Sequence, residues 1–117
     1  MKIAYVAGPY RAKTIRGIVE NINKAEAVAL ELWKLGFVVV CPHKNSGLFD
    51  GDIPDENFLN GVIELMKRCD LVVMIPDWEK STGATNEKSI AENEDMKVYF
   101  WPQDKDRLTE IAKQENK

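Results

Sequence analysis

Four short apolar runs, each stopped by a turn residue and separated from the next by a helical pattern, constrain this chain more than anything else in it. Ile3-Ala4-Tyr5-Val6-Ala7 ends at Gly8-Pro9, Phe37 to Cys41 ends at Pro42, Leu71 to Ile75 ends at Pro76, and Lys97 to Trp101 ends at Pro102. Runs of this length that are apolar throughout, without alternation, read as strands buried on both faces. Between the first two, Ile15, Ile18, Ile22, Ala25, Ala29 and Leu32 step by three and four and draw one stripe on a helix from about Thr14 to Leu35, with Gly36 at the C′ position. A second helix is expected from about Glu56 to Arg68, with Leu59, Val62, Ile63 and Met66 on one face, and a third from Thr82 to Asp95. Residues 43–55 are polar and turn-rich and read as a long loop, a class that often serves as a functional lid. The polar helix after Pro102 is expected to fray. Strands alternating with helices imply a parallel sheet covered on both sides, and right-handed crossovers make it a small doubly wound α/β fold of four to five strands. The expected strand order is 2-1-3-4, in a single domain spanning 1–117.

Composition removes several functions. The chain has 117 residues, 44% of them hydrophobic, and a net charge of −3 with no basic block, so it lacks the clustered Lys and Arg that grip a nucleic-acid polymer. Its apolar runs are too short to span a bilayer. Met1-Lys2 leads straight into a strand, with no secretory leader in view, so a cytoplasmic location is expected. Two cysteines in such a chain read as reduced thiols. One His and two scattered Cys make a metal site unexpected, and no cofactor motif is present: Gly8-Pro9-Tyr10-Arg11 is neither a dinucleotide fingerprint nor a P-loop.

The strand order places a site before any motif is consulted. Ligands of open parallel sheets sit at the C-terminal strand edge where the order reverses, here between strands one and three. The loops at that point are Gly8-Pro9-Tyr10-Arg11 and Pro76-Asp77-Trp78-Glu79-Lys80-Ser81, and each leads into a helix N-terminus, where free N–H groups favour anions. Ser81 is a good N-cap. Gly83, in the first turn, costs helix stability, and close approach of a ligand is one reason to carry it. Glu87 shares a helix face with Gly83 and Ala84, at the mouth of the stripe that packs on the sheet. A carboxylate there is expensive unless paired or used, although a partly solvated Glu near a helix start is an equal reading. Arg11 suits a phosphate but also suits bare solvent. Tyr5 reads first as a core aromatic and His43 as a structural hydrogen-bonder. Trp78 is either a stacking platform for a flat ring or a hydrophobic plug. Asp70 reads as a cap on the start of its strand.

The order of these signals is more specific than any one of them. Tyr5-Val6-Ala7-Gly8-Pro9-Tyr10-Arg11, Asn21-Ile22, Cys41-Pro42-His43, Cys69-Asp70 and Trp78 to Glu87 together resemble the nucleoside 2-deoxyribosyltransferase-like superfamily, in particular its short bacterial and phage branch. The resemblance runs from about Ile3 to Trp101, and the Ser-x-Gly-x-x-x-Glu helix start is its most specific part. It implies cleavage of the N-glycosidic bond of a 2-deoxynucleoside or its 5′-monophosphate, by hydrolysis or transfer, without metal or cofactor. By this resemblance Glu87 is the nucleophile, Tyr5 orients it, Arg11 and Ser81 hold a 5′-phosphate, and His43 lines the pocket. Gly8, Pro9, Tyr10, Trp78 and Gly83 complete the expected substrate-binding set.

One position departs from that pattern. Active members carry an Asp eight residues ahead of the Asp or Asn that opens strand three, and counting back from Asp70 lands on Val62. That Asp serves the leaving base, so its absence puts acid catalysis in doubt and turns attention to Asp77 or Glu79. The sequence therefore leads to a deoxynucleoside 5′-monophosphate N-glycosidase. The alternative is a catalytically impaired nucleotide-binding protein, a sensor or sequestering module. A homodimer or larger homo-oligomer is implied by the resemblance, with the helix face near Leu59 and Met66 as the expected contact patch.

Overall fold

A computed structural model describes residues 1–116; Lys117, the last position of the expected domain, lies outside the described residues. Four parallel strands form one sheet: β1 (Ile3–Ala7), β2 (Val38–Val40), β3 (Leu71–Met74) and β4 (Lys97–Phe100), in the order β2-β1-β3-β4. The expected order is the observed one, and the chain is an α/β protein with helices flanking an all-parallel sheet. Tyr5 stands opposite Val40 on one side and Val72 on the other, so the first strand is central. Asp70 caps the sheet from below, its carboxylate accepting from the Ile3 N–H at 2.7 Å.

The helices begin and end where local chemistry tells them to. Helix α1 (Ile15–Leu35) starts at Thr14, whose side chain accepts from the Gly17 N–H, and stops at Gly36, where a φ of 111° needs a residue without Cβ. Its stripe is buried through Ile22, Ala25, Val28, Ala29 and Leu32, whereas Ile15, in the first turn, is exposed. Helix α3 (Asp55–Lys67) and helix α4 (Thr82–Asn93) cover the opposite face.

Three expectations need correction. The span 43–55 is not all loop: Pro42–Asn45 form a helical turn, α2, favoured by Pro at its first position. The tail does not fray. Helix α5 (Lys105–Glu115) buries Leu108, Ile111 and Ala112 against the α1 face of the sheet. Its polar composition hides a narrow stripe of three residues, which periodicity read over a polar background does not reveal. Met66 is not part of an exposed patch; it is fully buried against β1 and β3, leaving Leu59 as the exposed large hydrophobic residue of that helix. No helix among the described residues is long and apolar enough to cross a membrane.

Candidate functional site

Alternation along β1 decides what each face of the sheet receives. Ala4 and Val6 point to α1 and α5, while Tyr5 and Ala7 point to α3 and α4. Tyr5 is completely buried, yet its hydroxyl reaches the carboxylate of Glu87, 82 residues further on, and donates to Oε2. Burial pushes the Glu87 carboxyl up to about 7, and the hydrogen bond from Tyr5 pulls only partly the other way. Burial, then the neighbouring carboxylate, drives the Tyr5 phenol upward, so it stays a donor. With Oε2 occupied, Oε1 is the oxygen left to act on a ligand.

This pair lies in a cavity of about 630 Å³ at the C-terminal edge of β1 and β3, the switch point of the sheet. Tyr5, Gly8, Pro9, Tyr10, Arg11, His43, Ser81, Gly83 and Glu87 all line it. Ser81 caps α4 by accepting from the Ala84 N–H at 3.1 Å, which leaves its own O–H free to donate to an anion. At Gly83 an added Cβ would have no heavy atom nearer than the Ser81 hydroxyl at 3.8 Å. Open space beside a helix N-terminus is what a ligand needs. Gly8 serves packing instead: a Cβ there would fall 2.3 Å from the buried Ile75 side chain.

His43 is buried, and burial holds its imidazole below the ordinary range, so it is neutral near pH 7. Its Nε2–H donates to the Pro9 carbonyl at 2.9 Å, pinning the loop after β1 from the far side. Asn21 pins the same loop from α1 by donating to the Tyr10 carbonyl at 3.0 Å. His43 is thus a wall and a tether of the cavity.

Trp78 is not brought to the cavity. Asp77 adopts a left-handed φ of 71° and the short 3₁₀ turn Trp78–Lys80 follows, swinging the indole onto Phe100 at 5.6 Å between ring centroids. Lys88 lies over the same ring at 5.5 Å. Of the two sequence readings for Trp78, the plug describes its place. Neither Asp77 nor Glu79 lines the cavity, so the two substitute acids considered from sequence fall away, while Val62 does line it.

The structure adds acidic residues that the sequence reading passed over. Asp50 and Asp55 both line the cavity. Asp55 pairs with Arg11 at 3.0 Å, so the loop cation already has a partner. Both side chains are more than half exposed, and such a pair is worth under about 1 kcal/mol, so a stronger anion displaces it at little cost. Asp50 accepts from the Tyr10 hydroxyl, which itself accepts from the Leu48 N–H at 2.8 Å. The only hint in the sequence was the turn-rich 43–55 segment, whose length marks a loop with a purpose. Among the described residues no cluster of His, Cys, Asp or Glu is placed to hold a metal ion. Cys41 and Cys69 are free thiols.

A parallel α/β domain with a half-buried carboxyl of raised pKa in a pocket at its topological switch point is the class that the fold and site define. The chain belongs to the family described as Domain of unknown function (DUF4406), whose model matches residues 2–100, from β1 through β4. A comparison with curated proteins finds no match.

Proposed function

We propose that the chain cleaves the N-glycosidic bond of a 2-deoxynucleoside 5′-monophosphate, with Glu87 as nucleophile. One observation carries this reading: a carboxylate raised to about 7, half-buried in a cavity wall, with one oxygen held by a phenol and the other free. In the order of its motifs the chain resembles the nucleoside 2-deoxyribosyltransferase-like superfamily, which supports the same assignment. In the first step Glu87 Oε1 attacks C1′ of the deoxyribose, and the C1′–N bond breaks with its electron pair going to the base nitrogen, which takes up a proton. In the second, water or another base attacks C1′, breaking the glycosyl ester and restoring the Glu87 carboxylate; both inversions together retain configuration. Ser81, the α4 N-terminus and Arg11 receive the 5′-phosphate, with Arg11 exchanging Asp55 for the ligand.

A specific observation favours a second reading. Val62 contributes no proton donor where the resemblance expects an acid, and general acid assistance typically supplies ~10²–10⁴-fold. A nucleotide-binding protein with slow or no turnover accounts for that. Incubation of each deoxynucleoside 5′-monophosphate with the protein, followed by chromatography of the free base, separates the two. Base release that disappears in Glu87→Ala supports the glycosidase; saturable binding without release supports the binding protein.

A further inference from the structure

The cavity has an apolar wall and a polar end that the reaction above does not use. Phe58, Leu59 and Val62, one face of α3, make the wall, a surface suited to the flat ring of a base. Phe49 leans on that wall through Phe58, with ring centroids 6.5 Å apart, and so docks the loop that carries Asp50 beside it. Among the described residues, Asp50 has no cation partner, unlike Asp55, which is committed to Arg11. Its only side-chain partner among the described residues is the Tyr10 hydroxyl, and that hydroxyl is fixed in turn by the Leu48 N–H. This chain of two hydrogen bonds gives Asp50 a defined orientation on a loop where a left-handed Leu48 (φ 67°) and Gly51 (φ 90°) set the turn. The remaining carboxylate oxygen is an acceptor without a donor.

We infer that Asp50, oriented by Tyr10, reads the base of the ligand and selects bases bearing an exocyclic amino group over thymine and uracil. The inference rests on the nucleotide reading of the cavity. A carboxylate accepts hydrogen bonds and donates none. Guanine, adenine and cytosine each present an amino donor on the edge away from the sugar, whereas thymine and uracil flank their single N–H with two carbonyl oxygens that repel a carboxylate. A carboxylate accepting from a base amino group is an established recognition pair, and it discriminates by about tenfold or more. Asp50 is then a specificity residue for the leaving group and Tyr10 a positioning residue acting through it. Neither takes over the proton donation missing at Val62, so base choice and turnover are separable in this protein.

The test is calorimetric titration of the four common deoxynucleoside 5′-monophosphates into a Glu87→Gln protein, which holds ligand without consuming it. The guanine, adenine and cytosine nucleotides are expected to bind at least about tenfold more tightly than thymidylate. Adding Asp50→Asn should compress the four affinities to within about threefold, by weakening the amino bases and relieving the repulsion of thymine. Adding Tyr10→Phe should give an intermediate spread with thymidylate nearly unchanged, a pattern that general loosening of the loop does not produce. Equal affinity for all four nucleotides, or a preference that survives Asp50→Asn, overturns the assignment of Asp50 while leaving the nucleotide reading intact. Absence of binding by any of the four overturns both.

Discussion

The two faces of the sheet are built from alternate residues of the same strands and come out opposite in character. Toward α1 and α5 the strands present Ala4, Val6, Leu71 and Val73, which with Ile75 just past β3 meet Phe37, Leu32 and Leu108 in an apolar core. Toward α3 and α4 they present Tyr5, Ala7, Val72 and Met74, which meet small and adaptable residues such as Ala84, Ala91 and Met66. The first face is built from large branched side chains and has no charged side chain among its buried members. The second stays partly open at its C-terminal end, and Tyr5 and Glu87 stand where it opens. One face secures the fold, and the other half-buries a carboxylate that has no ion-pair partner among the described residues. A site of this kind sits in tension with stability, because a charge held in poor solvation is poised to react.

Substitutions on the two faces should therefore fail in different ways. The largest effect is expected at the open face: if the protein is a glycosidase, Glu87→Ala lowers kcat by roughly 10³-fold or more while the protein stays folded. Single-turnover base release measures it, and near-normal turnover would move the nucleophile elsewhere. On the closed face, Leu108→Ala should lower unfolding free energy by about 2–5 kcal/mol, as deletion of a fully buried Leu does, with ligand affinity unchanged in the folded protein. Urea denaturation reads this out, and a loss under about 1 kcal/mol would mean that α5 only rests on the core.

Glu87→Gln sharpens the contrast, because it should stabilise the protein while disabling it. The folded carboxyl titrates at about 7 and an unfolded one at 4.5, so between those values the native state binds more protons than the unfolded state. Stability is therefore lost as pH rises through that window, by up to about 3 kcal/mol at pH 8. Gln carries no such loss. Its melting temperature should exceed that of the parent protein at pH 8, with the two converging below pH 4.5; a gap independent of pH would show that Glu87 is not held protonated. If the protein is a glycosidase, the same titration should give its turnover an acid limb centred near 7, since only the ionised carboxylate would attack.

The smallest effect concerns the anion. A deoxynucleoside 5′-monophosphate should bind better than its nucleoside by about 1.5 kcal/mol, the lower end for hydrogen bonds to charged groups, because Arg11 must first leave Asp55. Asp55→Asn should widen that preference and Arg11→Ala should shrink it, with added salt weakening all but the last. Calorimetry on matched pairs decides it, and equal affinities would remove the phosphate from the reading.

Much of this was legible in the sequence because it depends on neighbours along the chain. Strand and helix alternation, the caps at Thr14, Gly36 and Ser81, and the crossover rule together lead to β2-β1-β3-β4. The sheet order in turn placed the loop after β1 and the start of α4 at one edge. The rest was illegible for a common reason: it lies in contacts between residues far apart in sequence, whose types alone do not name their partners. Arg11 looked like a free cation until α3 brought Asp55 to it, and Trp78 read equally as a platform or a plug until Asp77 turned it onto Phe100.

By itself, then, the sequence determined the elements, their order in the sheet and the edge where the cavity opens, since periodicity, capping and chirality are local properties that survive without knowledge of packing. Only the tertiary structure decided that Tyr5 and Glu87 share a proton's reach, that Asp50 and Asp55 enter the cavity with different commitments, and that a polar tail closes the core with Leu108, Ile111 and Ala112. Those facts turn on solvent exclusion and on distances between segments, and neither quantity exists until the chain has folded.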